Sequence, residues 1–203
     1  MAISEAVGYV PDQPSSRTAA LAAATAAGLS DRAANFTWLA DDMLLAGLFE
    51  RVKNLLPSNI GGGDLTGLNA RWRFYRYSPG AVYRPHIDGA WPASALRPRN
   101  SNEKDAVEEY VYDAHGDQRS RLTFLLYLNE DFDGGCTTFF TANDVAGVVN
   151  ARGVAPRAGS VLCFPHGDGA GSLVHEGSAL LSGRKYIVRT DVLYKVPARA
   201  SKR

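Results

Sequence analysis

Apolar and polar positions along this chain follow two periods, and the change falls near the glycine run Gly61-Gly62-Gly63. Before it, Met43, Leu44, Leu45, Leu48, Val52, Leu55 and Leu56 recur at helical spacing. Asp41 and Asp42 stand where acids favour a helix start, and Pro57 ends the run. The spacing predicts an earlier helix over the alanine-rich stretch Ala19 to Leu29, with Ser15 and Ser16 ahead of it and Gly28 near its end. After the glycine run the period shortens to two. Arg71-Trp72-Arg73-Phe74-Tyr75-Arg76-Tyr77 alternates and is aromatic, which predicts a strand. Val82 to Asp88 follows the turn Ser78-Pro79-Gly80 as a second strand. Arg121 to Leu128, Thr137 to Phe140, Ser160 to Phe164 and Tyr186 to Tyr194 predict further strands, with a hairpin region over Val145 to Ala155. Helices first and then closely spaced strands with glycine-rich turns predict a mainly β fold with supporting helices, a sandwich or barrel.

One stretch fits neither period. Residues 90–120 hold Pro92, Pro98 and an acidic run from Glu103 to Asp117. A segment this long inside a domain suggests a lid, a binding loop or disorder, with a short helix near Asp105 to Tyr112. The whole chain of 203 residues reads as one domain: helical N-terminal support over 1–60, a core over 70–194 and a basic tail over 195–203.

Composition narrows the function. Net charge is +1, so no global electrostatic argument favours nucleic acid or an anionic membrane. Cys136 and Cys163 make neither a disulfide framework nor a zinc module. They are expected to be reduced, buried thiols. With no basic, apolar leader and no long apolar run, the expectation is a cytoplasmic protein without a membrane anchor.

The candidate chemistry sits in two segments. Side chains at i and i+2 of a strand share a face, so His86 and Asp88 can reach one metal ion together. His175, after a glycine-rich loop, can close the site as third ligand. Two imidazoles and one carboxylate leave the opposite face of a metal open, as non-haem Fe(II) oxygenases require. His166-Gly167-Asp168 repeats the His-x-Asp spacing but lies in the glycine-rich loop, next to His175, and is ranked below the first. On the last strand Lys185, Ile187 and Arg189 share one face. A fixed cation beyond the metal would hold the far carboxylate of a chelated dicarboxylate.

In order and spacing, these residues resemble the 2-oxoglutarate- and Fe(II)-dependent dioxygenases, in particular the prolyl 4-hydroxylase-like branch. The resemblance runs over about residues 70–194. It rests on His86-Ile87-Asp88, Tyr127-Leu128-Asn129, Gly134-Gly135-Cys136-Thr137, an apolar strand ending in Phe164, His175-Glu176-Gly177 and Gly183-Arg184-Lys185-Tyr186. It implies a double-stranded β-helix, or jelly roll. It also implies Fe(II) on His86, Asp88 and His175, with 2-oxoglutarate and O₂ as co-substrates and ascorbate as reductant. The distal carboxylate of the oxoacid would meet Lys185, with the Tyr127 hydroxyl on the same group and Tyr77 near the oxoacid or the substrate. Arg189 departs from the pattern: it either joins or replaces Lys185 at the oxoacid, or pairs with Asp191 or another acid.

The implied reaction is hydroxylation of a C–H bond, of a prolyl or other peptidyl substrate or of a small molecule, with release of succinate and CO₂. The rival from another class is a jelly-roll binding module whose metal site is structural or vestigial. Asp88 argues against a halogenase, which lacks the carboxylate ligand. Oligomeric state is not readable from the sequence.

Overall fold

The computed structural model describes residues 2–11, 33–98 and 108–196. In chain order the elements are α1 (Ala2–Val7), β1 (Val10–Pro11), β2 (Ala33–Leu39), α2 (Asp42–Val52), β3 (Asn59–Ile60), β4 (Gly63–Leu68), β5 (Arg71–Tyr77) and β6 (Tyr83–His86). Then come β7 (Ala95–Pro98), β8 (Glu108–Val111), β9 (Gln118–Tyr127), β10 (Phe132–Gly134), β11 (Thr137–Ala142), β12 (Val149–Val154), β13 (Val161–Pro165), β14 (Val174–Gly177), β15 (Leu180–Gly183) and β16 (Lys185–Lys195).

Strand β16 organises the larger sheet. It pairs antiparallel with β9 along one side, and with β5 and then β4 along the other. Beyond them lie β13 next to β9, and β2 next to β5. The smaller sheet runs β12-β11-β14-β6. The two sheets form the expected jelly roll, mainly β with helices in support.

Alternation along β16 decides what each face does. Val188, Val192 and Tyr194 join clusters that include Trp72, Leu122 and Phe124, with Leu45, Leu48, Phe49 and Val52 of α2 packed against them. No residue of α2 is fully buried, so each apolar contact there is worth about 1–2 kcal/mol, below the value for complete burial. The Asp41 carboxylate accepts from the Leu44 N–H at 2.8 Å, the cap its sequence position predicts. The other face of β16 carries Lys185, Ile187 and Arg189. Ile187 packs there with Tyr75, Tyr77, Leu125, Tyr127 and Phe164.

Three expectations are corrected. Ala33–Leu39 is a strand within the region read as helical support; it pairs with the whole of β5. Its Phe36 stacks on Phe74 at 4.8 Å, and its aromatic and β-branched residues suit a pleated surface better than a helix. The second concerns the disorder offered for residues 90–120: among the described residues there, β7 and β8 pair antiparallel. Asn69 ties the base of this pair down, donating to Pro92 O and accepting from the Ser94 N–H. Third, residues 108–111, part of the expected short helix, are strand β8. Residues 99–107 lie outside the described residues, as do the alanine-rich helix expected before residue 30 and residues 197–203 of the basic tail.

Both cysteines are free thiols and half-buried, and burial pushes the Cys163 thiol up to about 12. No helix among the described residues is long and apolar enough to cross a membrane.

Candidate active site

Strands β6 and β14 are neighbours in the smaller sheet, and their register sets His86 directly opposite His175. The two rings lie 4.3 Å apart, between centroids. Asp88 lies two residues past His86, just beyond the end of β6. The chain stays extended enough for alternation to hold: Ile87 turns out to solvent while Asp88 turns inward. His86 Nε2 is 3.2 Å from Asp88 Oδ1, and His175 Nε2 is 3.6 Å from Asp88 Oδ2. One ligand atom from each of the three falls within 4.8 Å of the others.

Each imidazole is aimed by its own backbone. His86 Nδ1 meets Arg84 O at 2.7 Å, and His175 Nδ1 meets Leu173 O at 3.2 Å. A carbonyl only accepts, so Nδ1 carries the proton and Nε2 turns toward Asp88 with its lone pair. The side chains of His175 and Asp88 are 6% and 3% exposed against 29% for His86, so the group opens to solvent on the His86 side.

The electrostatics suit a cation. Burial alone would raise the Asp88 pKa. The charge of Arg189 and the hydrogen bond from Thr123 hold its carboxyl well below the usual range instead. Burial lowers the His175 pKa, only partly offset by Asp88. One ionised carboxylate and neutral imidazoles are the donor set that a divalent first-row metal takes.

Lys185 opens β16 and is 3% exposed. Its Nζ donates to Gly135 O at 2.6 Å and lies over the rings of Tyr77 and Tyr127, at 5.3 and 5.6 Å. Among the described residues no carboxylate lies within ion-pairing distance of it. Burial pushes its pKa down to about 8. The glycine landmarks now have a cause. Gly134 and Gly135 sit at φ +75° and +64°. A Cβ on Gly135 would come within 3.2 Å of the Lys185 chain, and one on Gly134 within 2.4 Å of Ala179 O.

A single cleft joins these groups. It is lined by Tyr77, His86, Asp88, Thr137, His175, Lys185 and Arg189, among others. Tyr127 stands behind it: its hydroxyl pairs at 2.8 Å with Oγ1 of Thr137, a residue of the cleft lining. Arg189 takes the acid-pairing option. Its Nη2 lies 3.1 Å from Asp88 Oδ1 and 3.8 Å from Asp191 Oδ1. Four residue steps along the strand separate it from Lys185, a span of about 13 Å.

Sequence reasoning missed Thr123, whose hydroxyl donates to Asp88 Oδ2 at 2.7 Å, and gave Thr137 no role of its own. The phase of β9 was the available signal for the first: Thr123, Leu125 and Tyr127 share the inner face. His166 is buried behind Thr123, while Asp168 is exposed to solvent.

The family model described as the 2OG-Fe(II) oxygenase superfamily matches residues 72–190, more than half of the chain. Among solved structures, a prolyl hydroxylase from Trichoplax adhaerens, in complex with a hypoxia inducible factor peptide fragment, is similar in fold. It is 14% identical, with 96% of this chain and 73% of that chain covered and a TM-score of 0.55. A viral collagen prolyl hydroxylase from Paramecium Bursaria Chlorella virus-1 matches at 18% identity, 87% of each chain and a TM-score of 0.48. A Pseudomonas putida prolyl-4-hydroxylase matches at 20% identity, 92% of this chain, 91% of that chain and a TM-score of 0.44. No curated protein matches in sequence.

Proposed function

This chain belongs to the 2OG-Fe(II) oxygenase superfamily, and we propose that His86, Asp88 and His175 hold its Fe(II) while Lys185 binds the distal carboxylate of 2-oxoglutarate. The observation that carries the reading is one cleft containing both the three converging ligand atoms and a buried lysine. A buried ammonium without a counter-carboxylate is costly, and the oxoacid dianion supplies the missing charge.

Fe(II) bound there would supply the oxidative chemistry: 2-oxoglutarate and O₂ are converted to succinate and CO₂ as a substrate C–H becomes C–OH. The protein's own residues prepare that step. Arg84 O and Leu173 O orient the two imidazoles. Tyr77, Tyr75, Leu125 and Ile187 wall the cleft and limit water near the oxoacid. Thr137, steadied by Tyr127, offers a hydroxyl beside Lys185. Arg189 is assigned to Asp88 rather than to the oxoacid, because its guanidinium lies against that carboxylate.

For substrate, the reading is hydroxylation of a prolyl or other peptidyl residue, as the sequence resemblance implies. Succinate release from 2-oxoglutarate, with Fe(II) and ascorbate, tests the oxygenase reading. The parent protein should turn over slowly without substrate and faster with a proline-containing peptide. Parent protein that releases no succinate, or His86→Ala that releases as much as the parent, would mean a binding module instead.

A further inference from the structure

His166 is 2% exposed, and the reaction has no direct use for it. Its ring is nevertheless hydrogen-bonded at both nitrogens. Nε2 meets Ser120 Oγ at 2.8 Å and Nδ1 meets Thr123 Oγ1 at 2.9 Å. Thr123 Oγ1 in turn meets Asp88 Oδ2 at 2.7 Å, and Ser120 Oγ meets the Trp91 backbone N–H at 2.8 Å.

The two ends of this row fix its direction. A backbone N–H can only donate, and an ionised carboxylate can only accept. The single proton of Thr123 is therefore committed to Asp88, so its oxygen accepts from His166 Nδ1–H. A neutral ring then presents a lone pair at Nε2, which takes the proton of Ser120. Ser120 is left to accept from Trp91. Every group is satisfied, and all the bonds point toward Asp88. Burial, with Arg189 nearby, pushes the His166 pKa down to about 4, in keeping with a neutral ring. The next residue adds a second hold: the Gly167 N–H donates to the Asp88 backbone carbonyl at 2.8 Å. Gly167 achieves this at φ +62°, where a Cβ would press on Ala90 at 3.3 Å.

We propose that His166-Gly167 is the clamp of Asp88: Gly167 holds its backbone, and His166, as the Nδ1–H tautomer, holds its carboxylate through Thr123. His166 and Thr123 are thus positioning residues for a ligand they do not share. This rests on the reading of Asp88 as a metal ligand. A row of polarised hydrogen bonds strengthens its last member and fixes the carboxylate rotamer before metal arrives.

Two measurements test the clamp. In the metal-free protein near pH 7, ¹⁵N–¹H NMR of the imidazole should show His166 protonated at Nδ1 and bare at Nε2. An Nε2–H tautomer or an imidazolium overturns the proposal, and this arm needs no variant to fold. In the second, His166→Leu and Thr123→Val should each weaken Mn(II) binding about 10- to 100-fold, the usual cost of losing an outer-shell partner. The double variant should bind little worse than the weaker single one, because both break one row. His166→Asn, which keeps an N–H near the place of Nδ1, should recover most of the loss. Parent-like Mn(II) affinity in folded His166→Leu and Thr123→Val overturns the clamp. Failure of the metal-site reading has a different signature: the parent does not bind Mn(II), or Asp88→Ala binds it as well as the parent does.

Discussion

His86-Ile87-Asp88 and His166-Gly167-Asp168 have the same pattern and different fates. In the first, the chain is extended, Ile87 turns out and both polar side chains turn into the cleft. In the second, Gly167 takes a left-handed conformation, so His166 is buried while Asp168 faces solvent. A His-x-Asp pair acts as one chelating unit only when the backbone between its members is extended. The burial of each histidine also differs in kind. His86 keeps a partly open Nε2 face, whereas both nitrogens of His166 are occupied by hydroxyls.

The largest effects should separate the two segments outright. His86→Ala and Asp88→Ala should each reduce succinate release to background. Stability should separate them next. The pKa of His166 falls from 6.5 to about 4 on folding, so below pH 6.5 the unfolded chain binds a proton that the folded one refuses. The contribution of this group is therefore full above about pH 6.5 and is lost as pH falls toward 4, by about 3 kcal/mol, while Asp191, 3.7 Å from His166 Nδ1 and pushed up to about 6 by burial, contributes with the opposite sign over the same range. Urea midpoints of the parent and of His166→Asn across that range isolate the His166 contribution, and parallel profiles for the two would break the contrast. The exposed Asp113 and Asp117, whose pKa values are lowered, begin to add to the loss only near pH 4.

A smaller effect belongs to the far end of the first site. Lys185→Met should weaken 2-oxoglutarate binding by about 10- to 100-fold, the worth of one charge-assisted bond. In the parent the Lys185 ammonium is present below about pH 8 and is lost above it. Affinity for 2-oxoglutarate should thus fall as pH rises past 8, by at most about tenfold per unit, and Lys185→Met should lose that slope. Calorimetric titration with Mn(II) present reads both. The smallest effect closes the comparison: Asp168→Asn should keep the parent's turnover and change stability by less than about 0.5 kcal/mol. A large loss there would place Asp168 in the site after all.

Part of this was legible in the residues. The period-two face of β16 put Lys185 and Arg189 together, as found. The capped start of α2 and the strands from Arg71 onward also follow local pattern. The N-terminal strand β2 was missed because the alanine-rich run before it and the leucine stripe after it both read as helical, and its partner, β5, lies more than thirty residues away. The pairing of β7 with β8 was missed because short strands interrupted by proline give too few alternations to read, and because Asn69, its anchor, lies outside the segment. At the site, the ligand types and the lysine could be named from spacing. Thr123 could not, since an inward threonine in an apolar strand looks like packing until an acceptor appears beside it.

The sequence by itself determined the elements with long, regular periods, the residue types able to hold a metal and a dicarboxylate, and the absence of a charge bias toward nucleic acid. These depend on neighbours along the chain, where the backbone repeat does the sorting. Tertiary structure alone decided which His-x-Asp faces the cleft, which acid Arg189 meets and which way the hydrogen bonds through His166 run. Those outcomes depend on strands brought together from distant positions. Inside a low-dielectric core, a buried polar atom is settled only by the partner that packing places within reach.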